Sequence, residues 1–348
     1  NQQRAAAILH RGVMNKTVAD PSWDDLKVFL ACARALSFRA ASKSLGLTSS
    51  TVVRRIGALE DELGFALFNR LPNGVQLTRE GARLVSSANQ IEQGAFDFRR
   101  RIETFDSNKR GIVRVSATEG LGTYWLMPRI IDFQRANPMM VIDLKAAETV
   151  VDVSRMEADV AIQFDEPSNP QVMRRRLGTM HVYPFAAQRY LDTYGVPRSK
   201  TEIMDHRLVD QVGPQLDQGA WPRYLGIEDI EGVVGIRTNS SAAHFAAIRG
   251  GAGIGGLPTY ATAMFSDLVP IDVGIHHRMD IWMTYHPDAR RTPRIATMID
   301  WLVESFDASK YPWFRDEFIH PTAFKDFDSR HWQEDPTRKG FGPLQELG

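Results

Sequence analysis

Apolar positions recur at helical spacing from the first ordered pattern in the chain. In WDDLKVFLACARALS (23–37), Leu26, Phe29, Leu30, Ala33 and Leu36 fall three or four apart, which predicts a helix. Ser37 is placed to cap a second helix, FRAASKSLG (38–46), and Gly46 to end it. Thr48 then caps a third helix that runs to Leu63 and stops at Gly64. Its apolar stripe is Val52, Ile56, Leu59 and Leu63. Two short helices joined by a tight turn containing glycine form a helix-turn-helix pattern. In FALFNRLPNGVQLT (65–78), the Pro72-Asn73-Gly74 turn between two short apolar runs predicts a small β-hairpin, a wing.

A long helix opens at Thr78. Leu84, Ala88, Ile91, Ala95, Phe98, Ile102 and Phe105 alternate spacings of four and three, an a/d heptad seam. The charged flank Arg99, Arg100 and Arg101 favours a two-helix dimer seam over packing on the helix's own domain. SNKRG (107–111) breaks the pattern and reads as a hinge.

From Gly111 the period changes. IVRVSAT (112–118), VIDLKAA (141–147) and DVAIQF (159–164) read as strands. LGTYWLMPRIIDFQRANP (121–138) and VVDVSRMEA (150–158) read as helices between them. Such alternation predicts βαβ units and a largely parallel sheet. A second α/β unit starts near 183–190 and includes VVGIRT (233–238), SAAHFAAIRGG (241–251) and GIGGLP (253–258). MDIWMTYHP (279–287) and the helix PRIATMIDWLVESF (293–306) return to the first unit. Two lobes with paired crossovers imply a ligand cleft. The tail, 310–348, is rich in aromatics, charge and proline, and either packs on the body or stays partly disordered.

Composition narrows the classes. The 348 residues suit about two domains. No apolar run is long enough for a membrane span, and the AAAIL run near the start is too short for a secretory signal. One cysteine, Cys32, excludes an internal disulfide and a multi-cysteine metal site, and fits a cytoplasmic protein. Residues 1–110 carry a net charge of +6 and the remainder −6, so an anionic partner is expected at the front. Gly251-Ala-Gly253-Ile-Gly255-Gly256 contains G-x-G-x-x-G. A helix precedes it and a strand follows, so it reads as a helix end and turn rather than a dinucleotide fingerprint. His276 and His277 fall in a loop with no metal-ligand partner at useful spacing. No constellation supports catalysis, and no cofactor or metal is expected.

From Arg39 to Leu59 there are four basic residues (Arg39, Lys43, Arg54, Arg55) and no acid. With the stripe buried, the outward face near the start of the third helix carries Ser49, Ser50, Val53 and Arg54. A helix entering the major groove needs short side chains at its N-terminal end. It also needs an arginine to fork onto guanine or phosphate, while its N-terminus favours phosphate. Arg39 and Arg70 are placed to hold the backbone. Val53 cannot hydrogen-bond a base edge but can touch a thymine methyl.

The stretch from LKVFLACARALSFRAASKSLGLTSSTVVRRIGALEDELGFALFNR to LTREG (26–81) resembles the LysR-type transcriptional regulators. AAS after the first helix, ALEDELG, LFNR and LTREG carry the resemblance. It continues more weakly through WLMPRIIDFQRANP, ADVAI, YPFAAQRYL and GGAGIGGLP. Ser49-Ser50 and Val53 depart from the family's usual Gln-Pro and Ser. The resemblance implies a two-lobed, periplasmic-binding-protein-like α/β effector domain, preceded by an all-α winged helix-turn-helix domain and a long dimerisation helix. The expected order is an N-terminal extension (1–22), a DNA-binding domain (23–77), a dimerisation helix (78–107), a hinge (108–111), an effector domain (112–309) and a tail (310–348). Lobe I covers about 112–182 and 279–309, and lobe II about 183–278. DNA contacts are expected from Arg39, Thr48, Ser49, Ser50, Thr51, Val53, Arg54, Arg70 and Thr78. The resemblance maps effector contacts to Thr118, Glu119, Thr149, Phe164, Asn239 and Ser240, with helix N-termini suited to a carboxylate. Glu119, Glu148 and Asp165 would oppose an anion. The implied partners are double-stranded promoter DNA, a small-molecule effector, a second copy in a homodimer or homotetramer, and RNA polymerase. The competing reading is a small-molecule-binding protein whose N-terminal helices mediate protein contacts.

Overall fold

The computed structural model describes residues 20–104, 110–146, 151–216, 220–228, 230, 232–325 and 327. The chain divides into two compact units, residues 1–99 and 100–348.

The first unit follows its caps. Helix α1 (Trp23–Ala35) starts at Ser22, whose hydroxyl accepts from the Asp25 amide. Helix α2 (Phe38–Leu45) is capped by Ser37, and α3 (Ser49–Leu63) by Thr48. Gly46 (φ 64°) and Gly64 (φ 78°) end these two helices in the left-handed region that glycine enters at least cost. Strands β1 (Phe68–Leu71) and β2 (Gly74–Leu77) pair antiparallel across the Pro72-Asn73 turn, forming the wing. Val28, Phe29, Leu30, Val52, Ile56, Leu59, Leu67, Phe68 and Val75 make one core. The Phe68 ring packs on Phe29 (5.7 Å) and Phe38 (5.6 Å).

Helix α4 (Arg79–Thr104) uses the expected seam unevenly. Ala88 is buried in the first unit's core and Leu84 packs against it. Beyond them Ile91, Phe98 and Ile102 are 50%, 66% and 54% exposed, which leaves an apolar face on the distal half of the helix. Phe105 lies outside the described residues.

The second unit is built on a seven-stranded sheet. Its strands are β3 (Gly111–Ala117), β4 (Met140–Ala146), β5 (Val160–Gln163), β6 (Met173–Ala187), β9 (Gly255–Pro258), β10 (Leu268–Pro270) and β11 (His277–Tyr285). The order is β10-β6-β11-β5-β3-β4, with β9 also pairing to β6. Only β3–β4 and β3–β5 are parallel within it; β11 and β6 run antiparallel to all their neighbours. The largely parallel sheet expected from the alternation is therefore corrected to a mixed one. The 15-residue β6 starts under Arg174, Arg175 and Arg176, whose charge hides strand alternation in the sequence. It pairs β11 along its first part and β9 and β10 along its last, so one strand carries the chain from lobe to lobe. A second, parallel pair joins β7 (Leu208–Gln211) to β8 (Val234–Thr238).

The helix expected over 150–158 is also corrected. Asp152 accepts from the Ser154 amide and hydroxyl (2.9 and 2.6 Å) and caps a single 3₁₀ turn, Val153–Arg155. Met156 (φ 59°) then turns the chain out of helical geometry. Val151, Val153 and Ala158 are buried without a helix to present them.

Three helices pack on the second unit's strands: α5 (Met127–Ala136), preceded by a π-helical stretch Leu121–Leu126, α8 (Ser241–Arg249) and α10 (Pro293–Ser305). Helices α6 (Gln188–Tyr194), α7 (Ala220–Leu225) and α9 (Ala261–Met264) are short. The tail packs on the body as far as Phe327: Trp313, Phe314 and Phe324 join the core around Trp125, Phe306 and Tyr260, and Phe327 packs against it. Residues 328–348 lie outside the described residues.

Candidate nucleic-acid interface and ligand cavity

In the first unit the hydroxyls at the start of α3 are organised around its cap. Thr48 Oγ1 accepts from the Thr51 amide (3.2 Å) and shares hydrogen bonds with the Ser50 and Thr51 hydroxyls (3.0 and 2.8 Å). Ser49 Oγ bonds the buried Ser42 Oγ (3.1 Å), which ties α3 to α2 across the turn. Burial of Val52, Ile56 and Leu59 turns Ser50 and Arg54 to solvent, with Val53 half-buried. Arg39 on α2 and Arg70 on β1 are exposed too.

The cations of this unit separate into two groups. Arg34 is held by Glu92 (3.0 Å) and Asn89 (2.9 Å), and Arg55 lies 3.8 Å from Asp25. Arg39, Lys43, Arg54 and Arg70 form no hydrogen bond or ion pair among the described residues. Glu60, the acid that ends the acid-free stretch, faces inward: its carboxylate accepts from the Leu67 and Phe68 amides (2.6 and 3.1 Å) at the base of the wing. The carboxylate nearest in sequence to Arg54 is thus spent on structure. Thr78 is spent as well. Its hydroxyl donates to the Ala66 carbonyl (2.8 Å) and accepts from the Gly81 amide (2.9 Å), capping α4.

The second unit holds a cavity of about 170 Å³. Its walls include Leu121, Tyr124, Phe164, Trp221, Tyr224, Phe245 and Tyr260, with Thr118, Asp210, Gln211 and Ser241 among the polar lining. Thr118 follows β3; it is 2% exposed and its hydroxyl has no hydrogen-bond partner among the described residues. Phe164 follows β5, and its amide donates to Gln215 Oε1 (3.1 Å). Tyr124 packs on Phe245 (4.6 Å), whereas its neighbour Trp125 is core.

Glu119 reaches across from the end of β3 to the start of α8. Its carboxylate accepts from the Ser240 hydroxyl (2.9 Å) and the Ser241 amide (2.7 Å). The helix N-terminus considered for a carboxylate ligand therefore holds a carboxylate of the chain itself. Gly120 permits the approach: a Cβ there would sit 3.2 Å from Ser241 Oγ. Of the effector positions expected from the sequence, Thr118 and Phe164 line the cavity, and Glu119 and Ser240 bond each other beside it. Asn239 is exposed and not among the lining residues, and Thr149 is outside the described residues. Tyr183, Asp210, Trp221, Tyr224 and His277 line the cavity unforeseen. His277 opens β11 instead of lying in a loop, and its Nδ1 bonds the Tyr224 hydroxyl (2.9 Å). His276 bonds His181 (2.7 Å). Burial keeps His244 neutral, with its pKa pushed down to about 4, while its Nε2 bonds the Val209 carbonyl (3.2 Å).

Comparison with known proteins joins the two units. The model for the "bacterial regulatory helix-turn-helix protein, lysR family" matches residues 23–82, and that for the "LysR substrate binding domain" matches 106–307. An HTH-type transcriptional regulator of Xanthomonas campestris is 28% identical over 53% of this chain and 54% of its own length. The mau operon transcriptional activator of Paracoccus denitrificans is 30% identical over 46% of this chain and 56% of its own. The chain thus spans little more than half the length of these curated relatives. The full-length virulence activator AphB of Vibrio cholerae, a solved structure, superposes with a TM-score of 0.53 at 21% identity, covering 82% of this chain and 99% of that one. At that identity the likeness speaks for the fold.

Proposed function

The chain belongs to the LysR family of bacterial regulators, and from that premise we propose that it binds promoter DNA sequence-specifically and regulates transcription in response to a small molecule. The observation that carries the reading is the division of cations in the first unit. Arg39, Lys43, Arg54 and Arg70 are exposed and, among the described residues, uncommitted, while Arg34 and Arg55 are tied to carboxylates. A protein-docking helix pair has no need of such a set; a duplex has, because each neutralised phosphate releases counterions. In this reading Ser50 and Arg54 meet base edges, and Arg39 and Arg70 hold the backbone. The apolar half of α4, Ile91, Phe98 and Ile102, is the surface for a second copy, and a homotetramer and contact with RNA polymerase extend the same reading. No helix among the described residues is long and apolar enough to cross a membrane, which suits a protein that works on DNA in the cytoplasm. The cavity in the second unit is the effector site. Its effector shifts DNA binding only by favouring one arrangement of the chain over another.

Fluorescence anisotropy with the duplex upstream of its own gene, across a salt series, tests this. Affinity for that duplex should exceed affinity for a scrambled one, and its log Kd should rise by about 0.9 per log salt for each phosphate contacted. Absence of duplex binding even at low salt would sink the reading.

A further inference from the structure

Among the described residues that line it, the second unit's cavity offers rings and one idle hydroxyl, but no positive charge. Resting on the regulator reading above, we propose that its ligand is a small single-ring aromatic molecule without a negative charge, held by one hydrogen bond to Thr118.

Size sets the first limit. The cavity is about 170 Å³, and an apolar cavity of roughly 150 Å³ accommodates benzene. One ring with a short substituent fits this space. The walls set the second. Tyr124, Phe164, Trp221 and Phe245 present ring surface, which favours offset or edge-on packing with another aromatic. Thr118 sets the polar contact. Its Oγ1 is buried with no partner among the described residues, and a hydroxyl in that state gains a hydrogen bond from a ligand atom that donates or accepts beside it.

Charge sets the last limit. Among the described lining residues there is no lysine or arginine. His244 donates to a backbone carbonyl and His277 is engaged with Tyr224. The one lining carboxylate, Asp210, is paired with Arg237 at 2.9 Å. The N-terminus of α8 would otherwise welcome an anion, but Glu119 fills it with two hydrogen bonds. A ligand carboxylate would lose its hydration and find no counter-charge among the described lining residues. A neutral ring, or one bearing an ammonium group, meets none of these costs.

The test is calorimetric titration of the full chain with three probes of one shape: benzamide, benzylamine and benzoate. Benzamide or benzylamine should bind at least about tenfold more tightly than benzoate. Thr118→Val, which keeps the shape and removes the hydroxyl, should weaken benzamide by about tenfold while leaving the melting curve in place. Glu119→Gln should raise affinity for benzoate. The proposal is overturned if benzoate binds as tightly as benzamide, if Thr118→Val changes nothing, or if none of the probes binds up to millimolar concentration. Duplex anisotropy run beside the titrations separates the two readings. Benzoate preference with duplex binding intact overturns the ligand class and leaves the regulator standing. Benzamide binding by a chain that ignores its duplex supports the ligand class and overturns the regulator.

Discussion

Trp313→Ala probes whether the chain beyond the family's matched segment belongs to the core of the second unit. The matched segment ends at residue 307. Trp313 is 2% exposed and its ring meets Trp125 (5.7 Å), Phe324 (5.4 Å) and Phe327 (4.7 Å). Trp125 in turn is fully buried, with Phe314 edge-on at 4.8 Å and the Arg129 guanidinium 3.4 Å above its ring. Removing the indole leaves a void that this packed cluster cannot close. Such truncations cost about 3–5 kcal/mol. For a unit of this size each kcal/mol moves the midpoint by roughly 2–4 °C, so a drop of about 6–20 °C is expected. Differential scanning calorimetry reads it, and the transition of the first unit, which contains none of these residues, serves as the internal standard. Asp316→Ala is the control. It removes a largely exposed partner of Arg176 and should cost no more than about 1 kcal/mol. A shift below about 2 °C for Trp313→Ala would refute the claim that 311–324 shares the core.

Four further outcomes follow from the same geometry. Arg54→Ala should weaken specific duplex binding by about 1–3 kcal/mol, and Arg55→Ala, already turned toward Asp25, by less; equal losses in anisotropy would contradict the assigned face. Phe98→Asp should shift the chain from dimer to monomer in sedimentation velocity with little change in thermal midpoint, since Phe98 is 66% exposed in the single chain; an unchanged oligomer would remove α4 from the interface. Burial pushes His244 and His276 down to about 4, and the like-charged His181, His277 and Arg278 add to this at His276. A depressed histidine stabilises the fold fully above the unfolded value of about 6.5 and progressively less below it, so stability should fall by up to about 1.4 kcal/mol per pH unit per histidine toward pH 4. The depressed carboxylate Asp316, at about 2, loses its contribution only below about pH 4, which leaves the window above that to the histidines; a flat midpoint from pH 7 to 5 contradicts this. Cys32 is fully buried with its thiol pushed up to about 12, so it should resist alkylation in the native chain and react only on unfolding; rapid modification would place it at the surface.

What could be read from the sequence was what has a period or a cap. Ser37, Thr48, Gly46 and Gly64 bound helices because side-chain caps and left-handed glycines act over three or four residues. The stripe Val52-Ile56-Leu59 fixed which arginine faces out, so Arg54 and Arg55 could be told apart before any coordinates. The cavity was less legible. Thr118 and Phe164 were reachable only because the family resemblance maps ligand contacts to the ends of the strands they follow. Trp221 and Tyr224 lie on a six-residue helix, too short for a periodic signal, and Tyr183 reads as an ordinary strand residue until β6 is seen to cross between lobes. Glu119 is the instructive position. In the sequence it reads as an effector-contact position and as a carboxylate that would oppose an anion, with nothing to show that it occupies the start of α8. Only the pairing of β3 within the sheet and the close approach at Gly120 bring Glu119 and Ser240, 121 positions apart, to 2.9 Å. That contact reverses the preferred charge of the ligand, because the chain has already supplied the anion that the helix dipole favours.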